Sequence, residues 1–329
     1  MLYDNHGRRI NYVRLAVTDR CNLRCFYCMP EEGIRFAPKH DILSYEEMER
    51  LLRVLSEMGV DKVRLTGGEP FVRRDLMSFL EKIAAIAGIK RVALTTNGTL
   101  TAPLVKHFKR LKISSVNLSL DTLDPERFRE ITRRDEFHQV IDTMHELLAH
   151  GIDTKINTVV MQGQNEQDIL PLVELTREHP LSVRFIEEMP FNGSGRHYEH
   201  WIWDHRRIMA HIGEHYPGLA KIPDPPHSTS FNYAIEGHRG TVGVIAAYSR
   251  SFCGTCNRIR ITPQGLLKTC LYDSGVFNVR DLMRAGATDD DLRTAFVQAI
   301  GNRAKDGHEA EQRRFQGAPV QESMTTIGG

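Results

Sequence analysis

Four things are scarce in this sequence of 329 residues: net charge, long apolar runs, low-complexity tracts, and cysteine outside two short segments. Lys and Arg number 43 against 42 Asp and Glu, a formal net charge of +1. A protein that coats nucleic acid needs a large basic excess to displace counterions, so that class is excluded. No apolar run approaches the ~18 residues of a membrane-spanning helix. The opening MLYDNHGRRINY lacks the apolar stretch of a secretory signal. The expectation is a soluble, cytoplasmic protein with neither nucleic acid nor membrane as partner. What is present suits a sizeable core: 41% of residues are hydrophobic, enough for one large domain or two.

Every cysteine belongs to a triplet. Cys21, Cys25 and Cys28 form one, Cys253, Cys256 and Cys270 the other, and residues 29–252 hold none. A disulfide framework is a poor reading, because a chain this long needs no staples and cytosol keeps thiols reduced. Cysteines buried by chance would scatter, so two metal centres are expected. The first triplet has the spacing C-x3-C-x2-C directly after a strand signal, in TDRCNLRCFYC. Structural zinc wants four closed ligands, and no fourth Cys or His lies nearby. Three thiolates instead suit a [4Fe–4S] cluster with one iron free of protein ligands. The second triplet, in SFCGTCNRIRITPQGLLKTC, is less specific, and a zinc knuckle completed by a distant histidine stays open beside a second cluster.

Between residues 12 and 188 strand and helix signals alternate. Strands are expected at Tyr12–Val17, Lys62–Thr66, Arg91–Thr95, Ser115–Leu120, Lys155–Val160 and Ser182–Ile186, with an amphipathic helix in each of the five gaps. Ser44 and Glu47 make a capping box ahead of the stripe Met48, Leu51, Leu52, Leu55 and Met58. A second stripe, Leu76, Phe79, Leu80, Ile83 and Ile86, is closed by Gly88. Beyond residue 190 the alternation stops. Gly193 to Gly195 read as a loop, Asp204–His215 as a helix, Phe231–Ile235 and Thr241–Ala246 as a hairpin, and Thr288 as the cap of a last clear helix carrying Leu292, Phe296 and Ile300. Residues 1–190 are therefore expected to form a core and 191–329 a C-terminal α+β extension.

The strand faces choose the architecture. Strands covered on both faces read as continuous apolar runs, but these alternate. Val13, Leu15 and Val17 oppose Arg14; Val63 and Leu65 oppose Arg64; Val116, Leu118 and Leu120 oppose Asn117 and Ser119; Ile156 opposes Lys155; Val183 and Phe185 flank Arg184. Crossover helices cover the apolar face, so the polar face lines an interior. A partial (β/α)6 barrel with a polar lumen fits better than a doubly wound sheet. Arg14, Arg64, Lys155 and Arg184 converge there. Like charges about 4 Å apart repel by roughly 4 kcal/mol at an effective dielectric near 20, so the set calls for an anion such as a polyphosphate.

The spacing of Cys21, Cys25 and Cys28, followed by Gly67-Gly68-Glu69-Pro70 after strand two, TTNG after strand three and Ser119-Leu120-Asp121 after strand four, resembles the radical S-adenosylmethionine superfamily. The second triplet with the Asn257-Arg258-Ile259-Arg260 run, the segments KVRLTGGEP, KINTVV, VRFIEEMP and NVRDLMRAG, and the Gly328-Gly329 end resemble the GTP 3′,8-cyclase family of molybdenum cofactor biosynthesis. That resemblance covers nearly the whole chain. It implies two [4Fe–4S] clusters, each with an open iron, one gripping S-adenosylmethionine and the other the guanine of GTP. By position it implies Tyr27, Gly68, Ser119 and Met189 as contacts to S-adenosylmethionine. It implies Arg14, Arg64, Thr95, Lys155, Arg258, Ile259 and Arg260 as contacts to GTP, with Arg14, Arg258 and Arg260 the catalytic set and the Gly-Gly end reaching the site. Arg184 is added by the polar-face pattern alone. The implied reaction takes hydrogen from ribose C3′, the C3′ radical attacks guanine C8, and one electron plus a proton complete 3′,8-cyclo-7,8-dihydro-GTP.

The partners so implied are a reduced flavodoxin or ferredoxin as electron donor and cyclic pyranopterin monophosphate synthase downstream; a homodimer is compatible. Two other classes compete. A radical enzyme that modifies peptides would also carry an auxiliary cluster, but usually more C-terminal cysteines and no call for this many lumen cations. A two-cluster electron carrier would need neither the GGEP loop nor the polar lumen.

Overall fold

Ser44 sets the first helix as its spacing to Glu47 predicts. Its hydroxyl accepts from Glu47 N–H at 3.1 Å while the Glu47 carboxylate accepts from Ser44 N–H at 2.7 Å. The resulting α1 (Tyr45–Glu57) buries Met48, Leu51, Leu52 and Leu55 completely. The computed structural model describes residues 1–191, 203–249, 253–314 and 322–328, so the expected loop at Gly193–Gly195 and the terminal Gly329 lie outside the described residues.

Six strands follow one another in parallel: β1 (Tyr12–Ala16), β2 (Lys62–Thr66), β3 (Arg91–Thr96), β4 (Ile113–Ser119), β5 (Asp153–Val160) and β6 (Ser182–Glu187). The crossovers are α1, then α2 (Leu76–Ala85), then α3 (Pro125–Thr132) with α4 (Phe137–Ala149), and α5 (Ile169–Glu178). The gap between β3 and β4 departs from the expected amphipathic helix and holds the 3₁₀ turn Ala102–His107. Its buried anchors Val105 and Phe108 are three apart, the spacing that stacks along a 3₁₀ helix. Gly88 also differs from its expected role. The helix ends at Ala85, and a Cβ at Gly88 would lie 2.8 Å from Ser56 Cβ, so this glycine lets α1 come close.

Beyond β6 come α6 (His205–His215), β7 (Leu219–Lys221), β8 (Phe231–Ile235), β9 (Thr241–Ile245), β10 (Arg258–Ile261), β11 (Leu266–Lys268), β12 (Phe277–Asn278), α7 (Val279–Arg284), α8 (Asp289–Gly301), α9 (Gly307–Arg314) and α10 (Met324–Ile327). These strands extend the sheet at both edges instead of forming their own. β9 joins β6 in parallel and β10 joins β1 in parallel, giving one sheet ordered β12-β11-β10-β1-β2-β3-β4-β5-β6-β9-β8-β7. The sheet is a partial, unclosed barrel with antiparallel strands at its margins.

The outward face carries the core. Val13, Leu15, Val63, Leu65, Val92 and Leu94 pack with α1 and α2; Leu118, Ile156, Val183 and Phe185 pack with Val140 and Leu172 from α4 and α5. Burying each such side chain contributes roughly 1.5–3 kcal/mol. The chain end, for which the sequence offers no packing pattern, forms α10. Its Ile327 is buried with Phe191 and Tyr272 in a third small cluster. No helix among the described residues is long and apolar enough to cross a membrane.

Candidate active site

The loop after β1 places Cys21, Cys25 and Cys28 around one cleft, which Tyr27, Gly68, Thr95, Ser119 and Met189 also line. Five residues spread from Tyr27 to Met189 in sequence thus meet beside the first triplet, four of them the expected contacts to S-adenosylmethionine. The two glycines are dictated by packing. A Cβ at Gly67 would sit 2.2 Å from Thr18 O and one at Gly68 2.2 Å from Arg20 O, while Gly68 N–H donates to Thr18 O at 2.9 Å. The GG turn is therefore locked against the loop that leads into Cys21. Gly68→Ala is expected to lower stability by about 1–3 kcal/mol in thermal unfolding, because the obstructing atom is backbone. Gly213→Ala, in α6 with open space around it, should instead stabilise by about 0.5–1 kcal/mol.

Glu69 ties this turn to the next strand end. It is fully buried, and its carboxylate accepts from Asn97 N–H at 2.7 Å, Thr96 Oγ1 at 2.9 Å and Phe71 N–H at 3.1 Å. Burial raises its pKa to about 7. Asn97 in turn points its amide toward Cys21 Sγ at 3.7 Å. At the end of β4, Asp121 accepts from Tyr27 Oη at 2.8 Å and from Val159 N–H at 2.9 Å; burial raises it to about 6. The GGEP, TTNG and SLD segments are thus one bonded frame around the cysteine loop.

The cations fall where the alternation predicts. Arg260, Arg14 and Arg64 are in register across β10, β1 and β2, and Arg258, Tyr12 and Lys62 form the row below. Lys155 is level with Asn117 and Thr95; Arg184 is level with Asn157. The crowding is visible in the charges. Burial and then Arg260, with Arg64 and Arg258, hold the Arg14 guanidinium well below its usual value. Burial and Arg258 lower Arg260 to about 10, and burial and Arg64 lower Arg184 to about 10. The Nε of Arg184 is buried and lacks a hydrogen-bond partner. Lys155 is offset by its ion pair with Asp153. Ile259 alone departs from its expected place: its side chain is fully buried in the outward core, opposite Arg258 and Arg260, so only its main chain can face the lumen.

The second triplet lies at the other end of the same strands. Cys21 follows the carboxyl end of β1, whereas Cys253 and Cys256 precede the amino end of β10, which runs parallel to it. Cys270 follows β11, antiparallel to β10, and so returns to that same end. The lumen cations stand between the two triplets. At about 3.3 Å per residue, the steps from Tyr12 to Ala16 span roughly 13 Å. Gly328 enters this interval: Arg260 Nη1 donates to its carbonyl at 2.5 Å, and a Cβ there would meet Thr66 and Ala16.

Both donor sets suit an iron–sulfur cluster. Among the described residues, three metal-binding atoms within 4.8 Å of one another occur only at His211, Glu214 and His215, so the sulfurs of each triplet are spread more widely than that. A tetrahedral zinc ion would hold sulfurs about 3.8 Å apart. Each triplet nonetheless forms one interacting group. Burial first, then the neighbouring carboxylates and thiols, raises Cys21 to about 12 and Cys25 well above its ordinary value. Burial raises Cys28 and Cys270 to about 11, against main-chain N–H donors from Met324 and Thr325 for the former and Tyr272 for the latter. Such thiols ionise when a cluster binds them. Burial would also raise Cys256, but Arg258 and Arg303 bring it down to about 6.

Several functional neighbours were not read from the sequence. Tyr12 shares the inward parity of Arg14, and its hydroxyl accepts from Arg64 Nε at 2.8 Å. Burial would raise this phenol, yet Arg64, Arg14 and Lys62 pull it to about 7. Parity was a sufficient signal for it. Ser323, whose hydroxyl donates to Cys28 O at 2.6 Å across 295 positions, left no local signal.

A barrel of parallel strands with a three-cysteine loop after its first strand and a GGEP turn after its second defines the radical SAM superfamily. The sequence pattern of that superfamily matches residues 15–176, and that of Molybdenum Cofactor Synthesis C matches residues 181–309. The chain belongs to the GTP 3′,8-cyclase family: it is 42% identical over 306 residues to the GTP 3′,8-cyclase of Syntrophomonas wolfei, covering 91% of this chain and 92% of that one. The GTP 3′,8-cyclase of Moorella thermoacetica is 38% identical, covering 100% of both chains. Molybdenum cofactor biosynthesis protein 1 of Mus musculus is 41% identical over 92% of this chain, which spans 48% of the mouse protein's length. Among solved structures, SuiB of Streptococcus suis bound to S-adenosylmethionine aligns with a TM-score of 0.57 at 17% identity, covering 87% of this chain and 68% of that one. anSMEcpe with bound AdoMet also reaches 0.57, at 15% identity, covering 93% and 81%. These two share the fold.

Proposed function

We propose that this chain converts GTP to 3′,8-cyclo-7,8-dihydro-GTP, the first step of molybdenum cofactor biosynthesis. The observation that carries the reading is the placement of a cation-lined lumen between two three-cysteine sites at opposite ends of the adjacent strands β1 and β10. Cys21, Cys25 and Cys28 would hold one [4Fe–4S] cluster and Cys253, Cys256 and Cys270 another, each leaving one iron for an outside ligand. When bound, the first cluster and S-adenosylmethionine supply a carbon-centred radical able to remove an unactivated hydrogen.

The chain's own residues bind and orient. The Gly67-Gly68 turn and Ser119 would hold the methionine end, and Tyr27 and Met189 the adenosine end, of S-adenosylmethionine. Arg14, Arg64, Thr95, Lys155 and Arg184 would hold GTP, with Arg258, Arg260 and the Ile259 main chain toward the second cluster. A triphosphate relieves the repulsion among buried cations that burial alone cannot offset. Fixing ribose between the two ends converts an encounter into a near-attack geometry, the main catalytic contribution left to the protein. The outward core and the bonded GGEP–TTNG–SLD frame would wall that space, from which radical chemistry needs water kept out. Residues 1–190 would supply the radical-forming half and 191–329 the substrate half. An external one-electron donor of flavodoxin or ferredoxin type would reduce the first cluster, and cyclic pyranopterin monophosphate synthase would take the product.

Anaerobic incubation with S-adenosylmethionine, dithionite and GTP tests this. The expected result is 5′-deoxyadenosine together with a GTP-derived product of unchanged mass. No 5′-deoxyadenosine would favour a two-cluster electron carrier. If 5′-deoxyadenosine forms but GTP is left unaltered, a peptide-modifying enzyme is the better reading.

A further inference from the structure

Arg303 is a guanidinium that the lumen does not use. It follows α8, is 3% exposed, and faces the underside of the second triplet. Its Nη2 donates to Cys256 Sγ at 3.1 Å and to Arg258 O at 3.0 Å; its Nη1 donates to Cys256 O at 2.9 Å and lies 3.4 Å from Asp4 Oδ2. Burying a guanidinium is costly unless its donors are matched, and here they are spent on two carbonyls, a carboxylate and a sulfur. The carboxylate is itself anchored. The Asp4 side chain is fully buried and accepts from Arg8 Nε at 2.7 Å and from the N–H groups of His6 and Arg8, each at 2.9 Å. Arg8 then reaches Cys253 O and Ala304 O, both at 3.0 Å, and His6 Nε2 lies 3.0 Å from Arg303 O. The chain's first turn is thus built into the base of a cysteine site some 250 residues away in sequence.

Contacts to carbonyls alone would suffice to hold the backbone of this loop. The contact to Cys256 Sγ has a different consequence, because hydrogen bonds to ligand sulfurs set the potential of an iron–sulfur centre. We propose that Arg303 is a positioning residue of the second cluster: held by Asp4, it fixes the Cys256 sulfur and, by donating to it, makes that cluster easier to reduce. This rests on the reading of the second triplet as a cluster site. The sign follows from charge. An N–H donor on a cationic group stabilises the more negative, reduced state, so its removal moves the midpoint potential down.

The test uses the full chain, reconstituted anaerobically, as wild type, Arg303→Lys and Arg303→Gln. Iron is counted, and the electron paramagnetic resonance signal that does not respond to S-adenosylmethionine is titrated against electrode potential. Wild type should show two distinct centres; if it shows one, the cluster reading itself fails and is recognised as such before any variant is read. Arg303→Gln should keep its iron and show at least a tenfold lower reduced-to-oxidised ratio at a fixed potential, equivalent to 59 mV for one electron. Arg303→Lys should shift in the same direction by less. Midpoints equal to wild type in both variants, with iron retained, overturn the proposal. If Arg303→Gln fails to load the second site, Arg303→Lys decides: a lowered midpoint, or loss of that site alone, supports the proposal, and an unchanged midpoint overturns it. Loss of both centres together in both variants also overturns it, since Arg303 would then support only the fold.

Discussion

Arg14→Met is expected to remove GTP-dependent product while leaving cleavage of S-adenosylmethionine in place, and to do so without destabilising the ligand-free protein. The two effects have one origin. Arg14 sits at the centre of the in-register row with Arg260 and Arg64, and burial together with these cations outweighs the pull of Tyr12 and opposes its charge. Taking one cation from a repelling set should leave the unfolding temperature unchanged or higher. Taking the same cation from a bound triphosphate removes a buried, charge-assisted contact, at a cost of about 2–5 kcal/mol, or roughly thirty- to several-thousand-fold in kcat/KM. A role confined to stability predicts the reverse pairing, a lower unfolding temperature with little change in product per folded molecule. Thermal unfolding and product assays on the same preparation separate them.

The second large effect divides the two cysteine sites. Cys25→Ser should lose half of the bound iron and all 5′-deoxyadenosine, because no other residue in the first loop can supply the third thiolate. Cys256→Ser should also lose half of the iron but continue to form 5′-deoxyadenosine, now uncoupled from GTP. The asymmetry follows from geometry. Tyr27, Gly68, Ser119 and Met189 line the cleft of the first triplet, while Arg258 and Arg260 continue directly from the second. If Cys256→Ser abolished 5′-deoxyadenosine as completely as Cys25→Ser, the second site would belong to radical generation, not to substrate holding. Iron analysis and chromatography of the nucleoside products read both outcomes.

What the sequence disclosed followed from local periodicity. Alternation within single strands put Arg14, Arg64, Ser119, Lys155 and Arg184 on the inner face, and the structure has each of them at an inward register position. The same parity in β1 and β10 turns Tyr12 inward and the Ile259 side chain to the core. The Ser44 box and the α1 stripe were legible because capping and amphipathic spacing act within one turn. The 3₁₀ turn at Ala102–His107 was not, since its two buried anchors fit either helical spacing.

Sheet order is a long-range property. Nothing local states that β10 lies beside β1, yet that pairing sets the two cysteine triplets at opposite ends of one lumen. The Asp4–Arg8–Arg303 group was hidden for the same reason: its partners are separated by nearly the whole chain, and each residue alone reads as a surface charge. Ser323 beside Cys28 and Gly328 beside Arg260 are further cases in which tertiary contact, not propensity, assigns the place.

The central claim is that the radical formed at the first site acts on ribose held between the two sites. Its most direct measurement uses GTP carrying deuterium at ribose C3′, incubated anaerobically with the protein, S-adenosylmethionine and dithionite, followed by mass spectrometry of the 5′-deoxyadenosine. The account predicts 5′-deoxyadenosine one mass unit heavier, in amounts that follow the cyclised product. Unlabelled 5′-deoxyadenosine alongside that product would contradict it, because the hydrogen would then have come from somewhere other than the ribose that the lumen positions.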